Sequence, residues 1–184
     1  GVAYDDPKWE LFLDQLTLQQ MTSITGENFG QPAIDSVSKP ANANSDGPAG
    51  PQGNYRFGEK YATTVHVGEV VAAATWNIDL VAQRGSFIGE DCLFVGTTQL
   101  WSPGADLHRT PFSGRNFEYY SEDSVLSYLM SAAQTCAMQA KGVNAAIKHF
   151  VGNDQETNRT GLCTFATEQG FRQNSLKGFE GAFT

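Results

Sequence analysis

Apolar residues in this chain recur at helical spacing, then as short unbroken runs, and the two patterns alternate along its 184 residues. That alternation restricts the fold more than any other feature. Parallel strands need a long connection between them, and a helix is the usual one. Helices alternating with short apolar strands therefore predict an α/β fold with a parallel sheet. In such folds, function collects in the loops at the carboxyl ends of the strands.

Asp5-Asp6-Pro7 predicts a helix start, with Trp9, Phe12, Leu13 and Leu16 at helical spacing behind it. Thr17 and Gln20 form a capping box for a short helix ending near Gly26. Residues 27–61 are rich in Gly, Pro, Asn and Ser and are expected to be mostly loop. A helix is expected over 68–84, with Val70, Val71, Ala74, Ile78 and Val81 as its apolar stripe, and a second over 86–95. Residues 98–102 read as a short strand and 105–120 as an irregular segment. Ser121-Glu122-Asp123 predicts the start of a long helix to Ala140, with both acids in its first turn, where the helix dipole favours them. Residues 143–150 read as a strand, 152–161 as a polar loop and 168–183 as a final helix.

Composition removes several classes of function. The formal net charge is −8. Nucleic-acid binders present a basic stripe, and anionic membranes attract cations, so neither partner is expected. No apolar run approaches the ~20 residues that span a bilayer. Residues 1–9 are polar and do not read as a secretory signal. Cys92, Cys136 and Cys163 are odd in number and far apart, which predicts three buried thiols and no disulfide framework. His66, His108 and His149 are too scattered for a zinc helix motif, and no metal or cofactor is expected. Neither a serine nucleophile elbow nor a P-loop is present. The compartment stays open.

Three loops concentrate the polar groups. The first holds Asp46. The second holds Asp106, His108, Arg109, Arg115, Asn116 and Glu118, and the third Lys148, His149, Asn153, Asp154, Glu156 and Arg159. With aromatic residues interleaved, this mixture suits a neutral polyol, because carboxylates accept from hydroxyls and cations donate to them. Each hydrogen bond to a charged group contributes about 1.5–3 kcal/mol. The same mixture fits a phosphate or an amino acid. Structural roles are also open: Asp46 stabilising its Gly-Pro turn, Arg115 pairing with Glu118 or Glu122, and His149 as a satisfied core histidine. His108 and Arg109 are expected to organise the second loop. Asp154, Glu156 and Arg159 are expected to form a salt-bridged loop, and Trp76 and Trp101 to pack in the core. Adjacent strand residues point to opposite faces. For Lys148 and His149 to share a pocket, the strand must bulge or end near Lys148.

Five strings occur in order: Ser45-Asp46-Gly47-Pro48-Ala49-Gly50, Ala74-Thr75-Trp76-Asn77, Ser102-Pro103-Gly104-Ala105-Asp106-Leu107-His108-Arg109, Gly114-Arg115-Asn116-Phe117-Glu118-Tyr119-Tyr120-Ser121-Glu122-Asp123, and Lys148-His149-Phe150-Val151-Gly152-Asn153-Asp154-Gln155-Glu156-Thr157-Asn158-Arg159. Together they closely resemble the N-terminal barrel domain of family 3 glycoside hydrolases of the β-glucosidase type. The resemblance implies a (β/α)8 TIM-like barrel, of which residues 1–184 are the first half or so. It also implies hydrolysis of terminal β-linked glucosyl residues with retention, with this chain supplying the −1 sugar subsite. Asp46, Arg115, Lys148 and His149 would then be the substrate-binding residues, and the substrate a β-glucoside or oligosaccharide.

Two positions depart from the family pattern. Pro51-Gln52 stand where Leu-Arg is usual, with Arg56 nearby as a candidate substitute, and Ser124 stands where Pro commonly follows Ser-Glu-Asp. Retaining hydrolysis needs two carboxylates ~5–5.5 Å apart. The family's Ser-Asp-Trp-like nucleophile motif does not occur here, so no catalytic residue is expected in this chain. The remaining polypeptide of the same enzyme is the expected partner, and an isolated segment should be inactive. A β-xylosidase, another exo-β-glycosidase of the family, or a non-catalytic sugar-binding fragment are the alternatives.

Overall fold

The computed structural model describes residues 2–26, 29–52, 55–56, 59–60 and 63–183, with the backbone alone at 55–56 and 59–60. It divides into two compact units, Gly1–Asn44 and Ser45–Thr184.

The first unit contains helices α1 (Lys8–Leu13) and α2 (Leu18–Gly26), strand β1 (Gly30–Gln31) and the opening of strand β2 (Asn42–Asp46). The Asp6 carboxylate accepts from the Lys8 N–H at 2.9 Å, just ahead of α1. Leu16 lies beyond the end of that helix. The capping box of α2 forms as predicted: the Thr17 N–H donates to Gln20 Oε1 at 2.8 Å and the Gln20 N–H to Thr17 Oγ1 at 3.2 Å. Strands β1 and β2 pair antiparallel, Gly30 opposite Ala43. Strand β2 lies inside the stretch expected to be loop. Its sequence, Asn-Ala-Asn-Ser-Asp, has no β-branched or aromatic residue, so pairing and not propensity makes it a strand.

The second unit continues with β3 (Tyr55–Arg56) and β4 (Glu59–Lys60), α3 (Glu69–Ala73), α4 (Ile78–Val95), β5 (Gln99–Trp101), α5 (Ser124–Gln139), β6 (Asn144–Ala145), α6 (Glu168–Gly170) and α7 (Lys177–Ala182). Strands β5 and β6 pair in parallel, Leu100 opposite Ala145, with α5 as the connection. This is the βαβ unit that the alternating periods predict.

The single helix expected over 68–84 is two helices. Trp76 takes a left-handed φ of 54°, and the Asn77 side chain caps α4 by accepting from the Leu80 N–H at 3.0 Å. An N-capping Asn satisfies a free N–H of the new helix and overrides the continuing apolar spacing. The expected stripe therefore dissolves, and Val71 and Ile78 are exposed. Helix α4 runs on through 86–95 instead, burying Val81, Arg84, Gly85, Ile88, Gly89, Cys92 and Val95 at helical spacing. Trp76, expected in the core, is 74% exposed.

Asp123 is the cap of α5, accepting from the Val125 and Leu126 N–H groups at 2.8 Å, so neither acid lies within the first turn. Regular pairing after α5 covers 144–145 and not 143–150. Beyond it Lys148 makes one isolated parallel bridge, to Gly104. The final helix is α6, a π-helical turn at Phe171–Ser175, and α7.

Two apolar clusters form the core of this unit. Ala72, Ala73, Val81, Tyr120, Leu126 and Met130 make one, and Ile88, Cys92, Leu100, Met138 and Val143 the other. Cys92 is buried there, and burial pushes its thiol up to about 12. Cys136 and Cys163 are exposed, contrary to expectation. Helix α7 approaches closely because Gly178 and Gly181 lack side chains. A Cβ at either would strike a main-chain carbonyl oxygen, of Ala105 or Tyr128.

Candidate functional site

A row of ion pairs connects the loops that follow the strands. Lys148 Nζ lies 2.6 Å from Asp46 Oδ1 and 3.0 Å from Glu118 Oε2. Arg115 forks onto Glu118, Nε to Oε1 at 2.7 Å and Nη2 to Oε2 at 3.0 Å. Glu156 lies 3.9 Å from Arg115 Nη1 and 3.2 Å from Arg159 Nη1. The signs alternate throughout: Asp46, Lys148, Glu118, Arg115, Glu156, Arg159. Lys148 and Glu118 are nearly buried, at 8% and 7% exposure. Buried charges are tolerated when paired and hydrogen-bonded, and each of these has two partners of opposite sign. Burial works to raise the pKa of Glu118. Hydrogen bonds from Arg115 and Lys148 outweigh it and hold the carboxyl below its ordinary range.

His149 follows Lys148 where the regular strand has already ended, so alternation of faces does not separate the pair. Its Nδ1 meets the Tyr119 hydroxyl at 2.9 Å. Burial, then the charges of Arg115 and Lys148, push the imidazole pKa down to about 4. The ring is therefore neutral at pH 7. Asp106 secures the loop that follows, accepting from the Gly152 N–H at 3.0 Å and the Asn153 N–H at 3.1 Å. Burial pushes its carboxyl up to about 6 despite those bonds.

Two cavities flank this row. One, of about 400 Å³, is lined by Arg115, His149, Asn153 and Arg159 among others. The other, of about 160 Å³, is lined by Asp46, Gln52, Glu69, Glu118 and Lys148 among others. The Arg115–Glu118 fork joins them. Beneath the smaller one, Glu69 is fully buried and accepts from the Gly104 N–H at 2.8 Å and Gln134 Nε2 at 3.2 Å. Burial pushes its carboxyl up to about 8. Arg84, 3.9 Å from Glu69, donates to the Pro48 and Val67 carbonyls at 2.8 and 2.9 Å and to Gln134. It clamps the Asp46 loop to α4.

Of the four residues singled out from the sequence, Lys148 meets Asp46 directly and Arg115 through Glu118, and the charges of Arg115, Lys148, Glu118 and Asp46 act on His149. They divide between the two cavities, Asp46 and Lys148 in one, Arg115 and His149 in the other. The Asp46 carboxylate faces Lys148, while its turn is closed by main chain, Gln52 N–H to Asp46 O at 2.8 Å. Arg115 does pair with Glu118, as its spacing allowed. His108 organises the second loop as expected, its Nε2 2.9 Å from the Tyr119 carbonyl oxygen. Glu156 and Arg159 form the expected salt bridge, yet Arg159 also lines the larger cavity. Gln52 lines Asp46's cavity; the side chain of Arg56 lies outside the described residues. Glu69 and Arg84 carry no signal in the sequence, because each reads as an ordinary helix residue until the fold buries it, and Tyr119 is visible only as part of the fourth string. Among the described residues no cluster of three metal-ligating side chains is assembled.

These features define an α/β protein with a βαβ unit and a polar site on its strand-end loops. The model of the "Glycosyl hydrolase family 3 N terminal domain" matches residues 18–183, and the chain belongs to that family. It is 37% identical over 163 residues to a β-glucosidase of Ruminococcus albus, covering 88% of this chain and 17% of the relative. It is 34% identical to β-glucosidase A of Butyrivibrio fibrisolvens, covering 93% and 21%. Among solved structures it is similar to β-glucosidase 3B of Thermotoga neapolitana in complex with glucose, with a TM-score of 0.84, 35% identity, and coverage of 96% of this chain and 27% of that one. The β-glucosidase of Kluyveromyces marxianus gives a TM-score of 0.86 at 27% identity, covering 94% and 21%. The chain thus spans about a fifth of the length of the curated relatives it matches. Its fold class is that of the N-terminal α/β barrel of these enzymes.

Proposed function

We propose that this chain supplies the −1 sugar subsite of a retaining β-glucosidase that releases terminal non-reducing β-D-glucosyl residues. The observation that carries this is the hydrogen-bonded row Asp46–Lys148–Glu118–Arg115, with neutral His149 beside it. A polyol needs donors and acceptors in alternation, and this row provides them. The partly exposed Asp46 carboxylate accepts from hydroxyls, while Lys148 and Arg115 donate to neighbouring ones. Relatives named β-glucosidases, one solved with glucose, favour glucose over xylose as the sugar.

The catalytic carboxylates come from polypeptide beyond this chain. Residues left uncovered, such as Phe87 and Leu93 on α4 and Val65 before α3, support a larger body around it. By itself the chain binds part of a sugar and cuts nothing.

The test uses the full-length enzyme and the chain side by side on nitrophenyl β-glucoside and β-xyloside. Turnover by the full-length enzyme with preference for the glucoside, and none by the chain, is expected. Preference for the xyloside would replace glucose by xylose, and turnover by the pure chain would refute the division of labour.

A further inference from the structure

The hydrogen bonds around His149 run in one direction. Glu156 sits between Arg115 and Arg159, and its Oε1 lies 2.9 Å from Asn153 Nδ2. A carboxylate only accepts, so the Asn153 atom facing it is the amide nitrogen, which only donates. The same nitrogen lies 2.9 Å from the Tyr119 hydroxyl oxygen. Its two hydrogens are thereby assigned, one to Glu156 and one to Tyr119. The Tyr119 hydroxyl, receiving one hydrogen, has its own single hydrogen left for His149 Nδ1 at 2.9 Å. Nδ1 must then accept, and the neutral ring carries its proton on Nε2.

The surroundings hold this arrangement. Tyr119 is fully buried, so its hydroxyl has no water to turn to. Its ring meets the His149 ring edge-on, with centroids 5.9 Å apart and planes at 77°. The Asn153 main chain is tied to Asp106, which fixes the base of the amide. His149 lines the larger cavity, and Nε2 has no hydrogen-bond partner among the described residues.

We propose that Asn153 and Tyr119 are positioning residues that lock His149 as the Nε2–H tautomer, so that the larger cavity meets a sugar hydroxyl with a neutral N–H donor. The proposal rests on the sugar-site reading above. It divides the labour of the site: His149, Lys148 and Arg115 give hydrogens, and Asp46 takes them. A hydroxyl beside His149 must offer its oxygen lone pair there and direct its hydrogen elsewhere.

Nitrogen-15 NMR of the full chain labelled at histidine tests this directly. Three histidines are present, and the His149 signals are those absent from His149→Gln. In the unmutated chain at neutral pH, Nδ1 should resonate as a lone-pair nitrogen and Nε2 as an N–H nitrogen. In Tyr119→Phe both His149 signals should move toward the average of the two tautomers, while those of His66 stay in place. Protonation at Nδ1 in the unmutated chain would overturn the proposal. A Tyr119→Phe spectrum with His149 unchanged would overturn it too. The readout involves no sugar and no turnover, so failure here leaves the glucoside reading standing, and failure of that reading leaves the tautomer standing.

Discussion

Replacing Glu118 by Gln keeps the shape of the side chain and removes the charge that bridges two cations. The carboxylate makes three close contacts, with Arg115 Nε at 2.7 Å, Arg115 Nη2 at 3.0 Å and Lys148 Nζ at 3.0 Å. A glutamine whose oxygen takes the Oε2 place still meets Arg115 Nη2 and Lys148 Nζ, while its NH2 group faces Arg115 Nε, so one of the three is lost. At about 1.5–3 kcal/mol for a bond to a charged group, the loss is about 1.5–3 kcal/mol. The loss of the charge shared by two cations adds to this, while sparing the desolvation of a nearly buried carboxylate offsets it, so the expected cost is about 2 kcal/mol. In a chain of this length that lowers Tm by roughly 4–8 °C. Urea unfolding at pH 7, followed by circular dichroism, measures it. The dependence on pH adds a second check. The folded carboxyl is held below its ordinary range, so its stabilisation is present above the unfolded value of 4.5 and is lost as pH falls toward the folded one. The gap between wild type and Glu118→Gln should therefore narrow below about pH 4. A cost under about 1 kcal/mol at pH 7, or a gap that does not narrow in acid, would refute the bridging role.

His149 titrates near 4 when folded against 6.5 when free, so its neutral form adds full stability above pH 6.5 and less as pH falls to 4. His149→Gln should flatten that part of an unfolding curve measured across the same range. Glu69 has the opposite sign: with its carboxyl at about 8 when folded against 4.5, stability declines as pH rises through that window. Glu69→Gln should abolish the decline. Gly104→Ala would drive a Cβ into the Glu118 carbonyl oxygen and should cost about 3 kcal/mol or more in denaturant melts. In the full-length enzyme, Asp46→Asn should lower kcat/KM for an aryl β-glucoside by roughly 10- to 100-fold, the worth of one hydrogen bond to a charged group.

What could be read from the sequence was local or strongly periodic. The Thr17–Gln20 capping box, the start of α5 at Asp123 and the βαβ unit around α5 each follow from side chains acting on their own neighbours. Errors arose where two local signals competed. At 74–77 apolar spacing ran on while Asn77 offered a cap, and the cap won. Strand β2 and the short β6 depend on partners distant in sequence, which propensity does not register. Among the site residues, Asp46, Arg115, Lys148 and His149 stood out by motif. Glu118 was visible only as a partner for Arg115, because its second contact, Lys148, lies 30 positions further on. Glu69 and Arg84 were invisible for a similar reason: a Glu and an Arg within helices read as solvent-facing until burial turns them into a clamp. Cys136 and Trp76 were expected inside on residue type alone, and type does not say which face of a helix or turn is covered.

A row of six charges that alternate in sign has almost no monopole. Its potential is that of a higher multipole and dies away within a few ångströms, well inside the ~8 Å Debye length of physiological salt. Such a site exerts no pull at a distance, so a ligand arrives by diffusion and is gripped only on contact. Added salt should scarcely alter how fast or how tightly an uncharged sugar is captured, even though the 184-residue chain carries a formal charge of −8. A charged sugar, by contrast, would find no net attraction at the entrance and would have to break into the row to be held.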